Sequence, residues 1–225
     1  MIAFIADIHG NLPALEAVLA ELERYEISTI YSLGDVAGYY PFINECIELL
    51  INRDIKHILG NHDNYLVNNI DCSRSFRVNQ AISFQRSIIT SNNLNWLKAA
   101  PSFFSEDYFF AVHGGISDYL EEYSYTPYFS QTEQSLFLCG HTHIQQYIKE
   151  GTKHFCNPGS VGQPRDKDCR AAFALLDSNG QITLKRVDYD ISAIVDAIIE
   201  SGFDESFYRG LYTGEVIASE GSSLC

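Results

Sequence analysis

Short apolar runs that stop at a glycine or a polar turn alternate along the 225-residue chain with segments whose apolar positions recur every three or four residues. The first run, Ile2 to Ala6, ends at Asp7-Ile8-His9-Gly10-Asn11 and predicts a buried strand. Leu12, Leu15, Val18, Leu19 and Leu22 then make a helical stripe, with Asn11 as N-cap and Pro13 tolerated in the first turn. A second strand is predicted over Ile27 to Leu33, a second helical stripe through Ile43, Ile47 and Leu50, and a third strand over Ile55 to Leu59. Those two strands run into Gly34-Asp35 and Gly60-Asn61-His62-Asp63. A helical segment at about 64–100, clearest from Ser75 to Ala100, could cap the domain. Tyr108 to Val112 ends at His113-Gly114-Gly115, and Leu136 to Cys139 ends at Gly140-His141-Thr142-His143. Shorter strands follow near Gln145 to Lys149 and Lys153 to Cys156, then the turn Asn157-Pro158-Gly159-Ser160. Ala171 to Leu176 and Gln181 to Val187 flank Asp177-Ser178-Asn179-Gly180, a hairpin pattern. Ile191 to Ile199 reads as a helix, and the tail from Phe203 as a short helix followed by a frayed Ser/Gly end.

This order of elements, with its late antiparallel hairpin, points to an α/β fold in which two mixed sheets pack together and helices cover their outer faces. No Pro/Gly/Ser-rich linker divides the chain, so residues 1–225 are expected to form one domain. Apolar residues at 46% and charged residues at 20% describe an ordinary globule. Against 15 Lys and Arg stand 29 Asp and Glu, a formal charge of -14, which argues against a broad nucleic-acid footprint or an anionic membrane surface. It does not exclude an anionic substrate, because bound metal ions reverse the local field. Cys46, Cys72, Cys139, Cys156, Cys169 and Cys225 form no C-x-x-C pair and read as free thiols of a reducing compartment. The N-terminus has no basic flank and meets Asp7 too early for a secretory signal, and no apolar run approaches bilayer length, so a cytoplasmic location is expected.

The polar residues at the strand ends carry the chemistry. Asp7 and His9, two apart on an extended segment, face the same way and form either a pair of metal ligands or a capping aspartate beside a surface histidine. Collected in order, the strand-end residues are Asp7, His9, Asp35, Asn61, His62, His113, His141 and His143. Five of the seven histidines lie among them, at the carboxyl ends of strands where α/β sheets build their sites. His57 and His154 fall outside the set and read as ordinary surface residues.

D-x-H at Asp7 and His9, G-D at Asp35, G-N-H-D at Asn61 to Asp63, H-G at His113 and G-H-T-H at His141 and His143 resemble, in this order, the motifs of the calcineurin-like metallophosphoesterase superfamily. The segment from Asn157 to Arg165 is similar to its small bacterial and archaeal phosphodiesterase-like branch. The resemblance implies a four-layer α/β/β/α sandwich and a two-metal site, with Asp7, His9 and His143 on one ion, Asn61, His113 and His141 on the other, and Asp35 bridging. Imidazole, carboxylate and amide oxygen suit Mn, Fe, Zn or Ni without demanding one of them. Two ions against two carboxylates leave the set net positive, as a small phosphorylated substrate requires. Ions about 3.5–4 Å apart clamp a phosphoryl group and generate a metal-bound hydroxide for in-line attack.

On that basis His62, next to a ligand in the same tight turn, is either the general acid that protonates the departing alkoxide or a buttress of the loop. Asp63 either orients His62 or caps the next helix. The residues after Asp35 are Val36, Ala37, Gly38, Tyr39 and Tyr40, without the arginine and the acidic residue of the protein serine/threonine phosphatases, which disfavours a phosphoprotein phosphatase. Arg165 either supplies a cation to substrate or pairs with Asp166 or Asp168. Asn11 is a helix cap, a donor to phosphate, or both. Tyr39, Tyr40, Phe42 and the aromatic loop from Tyr119 to Phe129 either stack a nucleobase or serve core packing or a homo-oligomer contact.

The expectation is therefore a dinuclear phosphoesterase acting on phosphodiester or nucleotide phosphoanhydride bonds. A dinucleoside polyphosphate hydrolase of the diadenosine tetraphosphate type is the alternative. A phosphomonoesterase, a nuclease or a non-catalytic scaffold with this fold ranks behind them, the scaffold because every ligand position and His62 are present.

Overall fold

A computed structural model describes residues 1–126 and 132–215. Ten strands and six helices follow the predicted order: β1 (Ile2–Ile5), α1 (Leu12–Leu22), β2 (Thr29–Ser32), α2 (Ile43–Asn52), β3 (Lys56–His57), α3 (Asn61–Asn68), α4 (Phe76–Ile88), α5 (Ser91–Lys98), β4 (Phe103–Ser105), β5 (Phe109–Val112), β6 (Leu136–Leu138), β7 (Gln146–Glu150), β8 (Lys153–Asn157), β9 (Ala171–Leu176), β10 (Ile182–Val187) and α6 (Ile191–Glu200). Two short 3-10 turns, Glu205–Phe207 and Arg209–Tyr212, take the place of the expected terminal helix. β4 has no counterpart in the pattern reading, because its three residues alternate too briefly to register. α3 starts at Asn61 itself, so Asn61 and His62 project from the first turn of a helix.

The strands form two mixed sheets, β10-β9-β1-β2-β3 and β4-β5-β6-β8-β7. β1, β2 and β3 run parallel in the first; β5, β6 and β8 run parallel in the second; β9 and β10, β4 and β7 join through antiparallel pairings. Alternation along β1 sends Ala3 and Ile5 toward the helices and Phe4 and Ala6 toward the other sheet. Between the sheets lie Phe4, Tyr31, Leu33, Ile58, Phe109, Ala111, Leu136, Leu138, Cys156, Ala174 and Leu176. α1, α2 and α6 bury their apolar stripes on the outer face of the first sheet. On the outer face of the second, Val112, Phe137, Cys139 and Phe155 pack under Ile116 and Tyr119 of the chain that follows β5.

Asn11 caps α1 as expected, its Oδ1 accepting from Ala14 N at 3.2 Å. Cys46, Cys72, Cys139, Cys156 and Cys169 are free thiols. Among the described residues no helix is long and apolar enough to cross a membrane.

The rings of Phe4, Tyr31 and Phe109 hold the sheets in contact, with centroids 5.8 Å and 5.2 Å from Phe4 and 5.1 Å between the other two. Phe4→Ala should cost about 3–5 kcal/mol of unfolding free energy. Urea denaturation measures this, and a loss below about 1 kcal/mol would show that the sheets do not depend on this cluster.

Candidate active site

The carboxyl ends of the parallel strands of both sheets meet at one place, and the turns after them carry the polar residues. Asp7 and His9 follow β1, Asp35 follows β2, Asn61 and His62 open α3 after β3, His113 follows β5, and His141 and His143 follow β6. All eight are buried. The turns are tied to one another by backbone bonds, including Asp7 N to Gly34 O (3.1 Å), His9 N to Asp35 O (3.0 Å), Gly140 N to His113 O (2.9 Å) and Gly162 N to Asp7 O (3.0 Å).

Nine non-glycine residues among those described have positive φ, and five of them are Asp7, His9, Asp35, His141 and His143. The left-handed region is costly for residues with a Cβ and persists where the surroundings over-determine it. Side chains in this conformation turn toward a point that an extended strand would carry them past. Gly60 permits a close approach, since a Cβ there would collide with the Asp35 carboxylate.

Three groups gather ligand-type atoms within 4.8 Å of one another: Asp7, His9 and His143; His9, Asp35 and His62; Asp35, His113 and His141. The Nδ1–H groups of His9, His113 and His143 donate to the carbonyls of Ala37 (2.7 Å), Leu33 (2.8 Å) and Gln163 (2.6 Å). That fixes each tautomer and turns each Nε2 inward. Nε2 of His9 and His143 face each other at 3.1 Å. Nε2 of His113 stands 3.0 Å from Asn61 Oδ1 and 3.3 Å from Asp35 Oδ2. Asp35 Oδ2 and His141 Nε2 are buried without a hydrogen-bond partner. The facing Nε2 atoms of His9 and His143 and the unpartnered Asp35 Oδ2 and His141 Nε2 are unfavourable in a low dielectric, and a cation among them removes the conflict. The residues present fit metal ions on this ground.

The protonation states agree at His9, His141 and His143. Burial drops His9 to about 3 and holds His62, His141 and His143 well below the ordinary imidazole range, with neighbouring imidazoles and Arg165 adding to it. Neutral imidazole is the ligand form. Burial pushes Asp7 up to about 7. His113 goes the other way, because the carboxylate of Asp35 outweighs the burial that opposes its charge and lifts it to about 10.

Asp63 does not touch His62. Its carboxylate accepts from Asp35 N (2.8 Å), Ala37 N (2.9 Å) and Gly60 N (2.9 Å), and from His57 Nε2 at 3.1 Å. Burial opposes its charge, yet the His57 bond and the backbone N–H groups keep it below the ordinary carboxylate range. It therefore caps α3 and pins the Asp35 turn. His57 is buried, not a surface residue, with Nδ1 on Ser32 Oγ at 2.9 Å and its ring stacked 5.4 Å from Trp96. His154 is buried as well, accepting at Nδ1 from Tyr147 OH at 2.7 Å. Both expectations of surface histidines fail for one reason: neighbouring elements cover positions that the local pattern leaves open.

Besides capping α1, Asn11 donates its amide to Gly162 O (2.8 Å) and Tyr189 OH (3.4 Å). Arg165 pairs with neither aspartate offered to it. Asp166 is held by Arg186 and Asp168 by Arg170, while Arg165 Nη2 donates to Tyr39 OH at 3.0 Å and to Gln163 Oε1 at 2.8 Å. Its guanidinium lies 5.8 Å from the Tyr39 ring, which in turn packs 4.8 Å from His9 and 5.1 Å from His62.

The aromatic loop divides. Tyr119 packs on Phe103 and Phe110 of the second sheet, whereas the Tyr123 ring sits 4.2 Å from His141 and stacks on Tyr125. Tyr128 and Phe129 lie outside the described residues. A link not foreseen joins this loop to the site: Glu121 accepts from Tyr65, one turn after Asn61 on α3, and from Arg74. The spacing of Tyr65 from Asn61 was its only local signal.

A family model described as the calcineurin-like phosphoesterase superfamily domain matches residues 1–181. An uncharacterized protein of Methanocaldococcus jannaschii is 30% identical over 239 residues, covering 95% of this chain and 98% of that protein. The crystal structure of a metallophosphoesterase from Sphaerobacter thermophilus superposes with a TM-score of 0.84 at 30% identity, over 95% of this chain and 98% of the other. A hypothetical protein from Pyrococcus horikoshii OT3 shares the fold, with a TM-score of 0.86 at 23% identity over 96% and 100% of the two chains.

Removing the Asp63 carboxylate would leave three buried N–H groups and His57 without their acceptor. Asp63→Ala should cost about 3–5 kcal/mol, and Asp63→Asn, which keeps one carbonyl oxygen, clearly less. Chemical denaturation of the two variants checks this; equal costs would remove the carboxylate from its place in the frame.

Proposed function

The chain belongs to the calcineurin-like phosphoesterase superfamily, and from that premise we propose that it is a dinuclear metal-dependent hydrolase of phosphodiester or nucleotide phosphoanhydride bonds. Membership carries phosphoester hydrolysis in general terms; the metals, the residue roles and the substrate are the proposal. The observation that supports it most is the inward convergence of ligand atoms, with Nε2 of His9, His113 and His143 oriented from behind by backbone carbonyls and with Asp35 Oδ2 and His141 Nε2 buried without a hydrogen-bond partner.

Asp7, His9 and His143 would hold one divalent ion, Asn61, His113 and His141 the other, and Asp35 both. Mn, Fe, Zn or Ni suits this mixture of nitrogen and oxygen donors. When bound, such ions supply positive charge to the phosphoryl oxygens and acidify water at neutral pH. The protein does the rest. Backbone carbonyls on Nδ1 keep the imidazoles from turning, and the Asp63 clamp keeps Asp35 and Asn61 in register. Arg165, aimed across Tyr39, attracts and orients the anionic substrate from the His9 and His62 side.

His62 is the general acid for the leaving oxygen. Its ring is wedged among His9, Tyr39 and Tyr65, at 4.8, 5.1 and 5.8 Å, and burial with the charge of Arg165 keeps it neutral in the free protein. A phosphate anion beside the ring favours the charged form, so the proton is held once substrate is seated. On the opposite flank, Tyr123 and the exposed Tyr125 stack at 6.1 Å with their planes 12° apart, next to His141. A planar base fits against such a surface. This favours nucleotide substrates and keeps a dinucleoside polyphosphate hydrolase as the second reading.

Chelation should abolish hydrolysis of a chromogenic phosphodiester, and added Mn²⁺ should restore it; activity indifferent to chelation would refute the metal reading. His62→Ala should lower kcat by about 10²–10⁴-fold with metal content unchanged, whereas equal loss of both would make His62 a structural residue. Arg165→Met should raise KM with little change in kcat. A panel of phosphomonoesters, diesters, cyclic nucleotides and dinucleoside polyphosphates assayed with one metal separates the two substrate readings.

A further inference from the structure

We infer that Gln85 is a positioning residue that sets the aim of His62 through the backbone of Gly38; this rests on the reading of His62 as general acid. Gln85 continues the buried stripe of α4 formed by Val78, Ala81 and Ile82, and it is itself only 1% exposed. A polar amide in such a place is costly unless its hydrogen bonds are made. All of them go to one loop. Oε1 accepts from Gly38 N at 2.8 Å, while Nε2 donates to Gly38 O at 3.0 Å and Tyr40 O at 2.7 Å. A single side chain thus pairs both backbone groups of Gly38, as a neighbouring strand would.

Gly38 is the point where this loop presses on the site. Its φ of 102° lies in the region reserved for glycine, and a Cβ there would collide with Nδ1 of both His62 and His9. His9 is held independently by its bond to Ala37 O. His62 has no such anchor, because its Nδ1 is buried without a hydrogen-bond partner. Its ring orientation therefore comes from packing alone, against Tyr39, Tyr65, His9 and the Gly38 backbone. Asp63 fixes the loop at Asp35 and Ala37, and Gln85 fixes it at Gly38 and Tyr40. Tyr40 is held besides by its N–H to His9 O at 3.0 Å, so without Gln85 it is the Gly38 peptide that loses its partners, and the ring of His62 shifts with it. A misaimed general acid fails most where the leaving group most needs a proton.

The test uses the Mn²⁺-loaded enzyme and a series of aryl phosphodiesters whose leaving groups run from p-nitrophenol to phenol. Q85M keeps the side-chain volume and removes the hydrogen bonds. It should lose kcat about tenfold more on the phenyl ester than on the p-nitrophenyl ester, with KM and metal content unchanged. H62A should show the same trend more steeply. In the Zn²⁺-loaded protein, amide exchange at Gly38 should be faster in Q85M than in the parent. Should Q85M fail to fold, Q85E, which retains the acceptor for Gly38 N–H, carries the same two measurements. Equal loss across the series, loss that tracks metal content, or no loss overturns the inference. If H62A itself shows no dependence on the leaving group, the general-acid reading falls and takes the inference with it; if H62A shows it and Q85M does not, only the inference falls.

Discussion

One buried carboxylate, that of Asp63, joins the turn after β2 to the first turn of α3. The N–H groups of Asp35, Ala37 and Gly60 converge on it, and His57 donates from beneath. An isolated charge at this depth is prohibitively unfavourable, so the carboxylate is stable only where all its partners arrive together. The same condition brings Asp35 beside Asn61 across 26 positions of chain. His57 extends the clamp to Ser32 in β2 and to Trp96 in α5. Helices on the outside of the first sheet therefore share in the geometry of a cluster at its end.

Around that frame the protein concentrates unfavourable features in one place. Five residues adopt left-handed backbone, and imidazole nitrogens and a carboxylate oxygen face one another without donors. Each is tolerable because the surrounding turns are rigidly bonded, and the donor set so held could take metal ions. Both sheets contribute. Asp7, His9, Asp35 and Asn61 come from the first, His113, His141 and His143 from the second, and the ring cluster of Phe4, Tyr31 and Phe109 keeps the halves from separating.

The fold and the polar cluster were legible because both are written locally. An apolar run ending in Gly and a ligand-type residue needs no partner to be recognised, and its repetition after β1, β2, β3, β5 and β6 marks one end of the sheets. What stayed hidden depends on contacts between distant segments. His57 sits on a two-residue strand beside exposed Lys56, and nothing nearby announces that Trp96 and Ser32 will cover it. Gln85 reads as a solvated helical residue until Gly38 and Tyr40 are seen against it. Asn11 carries two readings, cap and phosphate donor, and the partners its amide meets, Gly162 and Tyr189, lie 151 and 178 positions along the chain. The choice for Arg165 between substrate and a neighbouring aspartate likewise turned on Arg186 and Arg170, which lie on β10 and in the turn before β9.

Arg186 has a consequence of its own. It binds Asp166 through its guanidinium, Gln145 through Nε, and the carbonyls of Asp168 and Arg170 through Nη1, so a residue on an edge strand decides the electrical sign presented one turn away. Were this strand to drift, Asp166 would lose its guanidinium partner and keep the N–H of Gln145 (2.9 Å), and the charge distribution beside the Arg165 loop would change although every group at the cluster remained intact. The charge at the rim of the cluster thus depends on a strand that contributes no residue to the cluster itself.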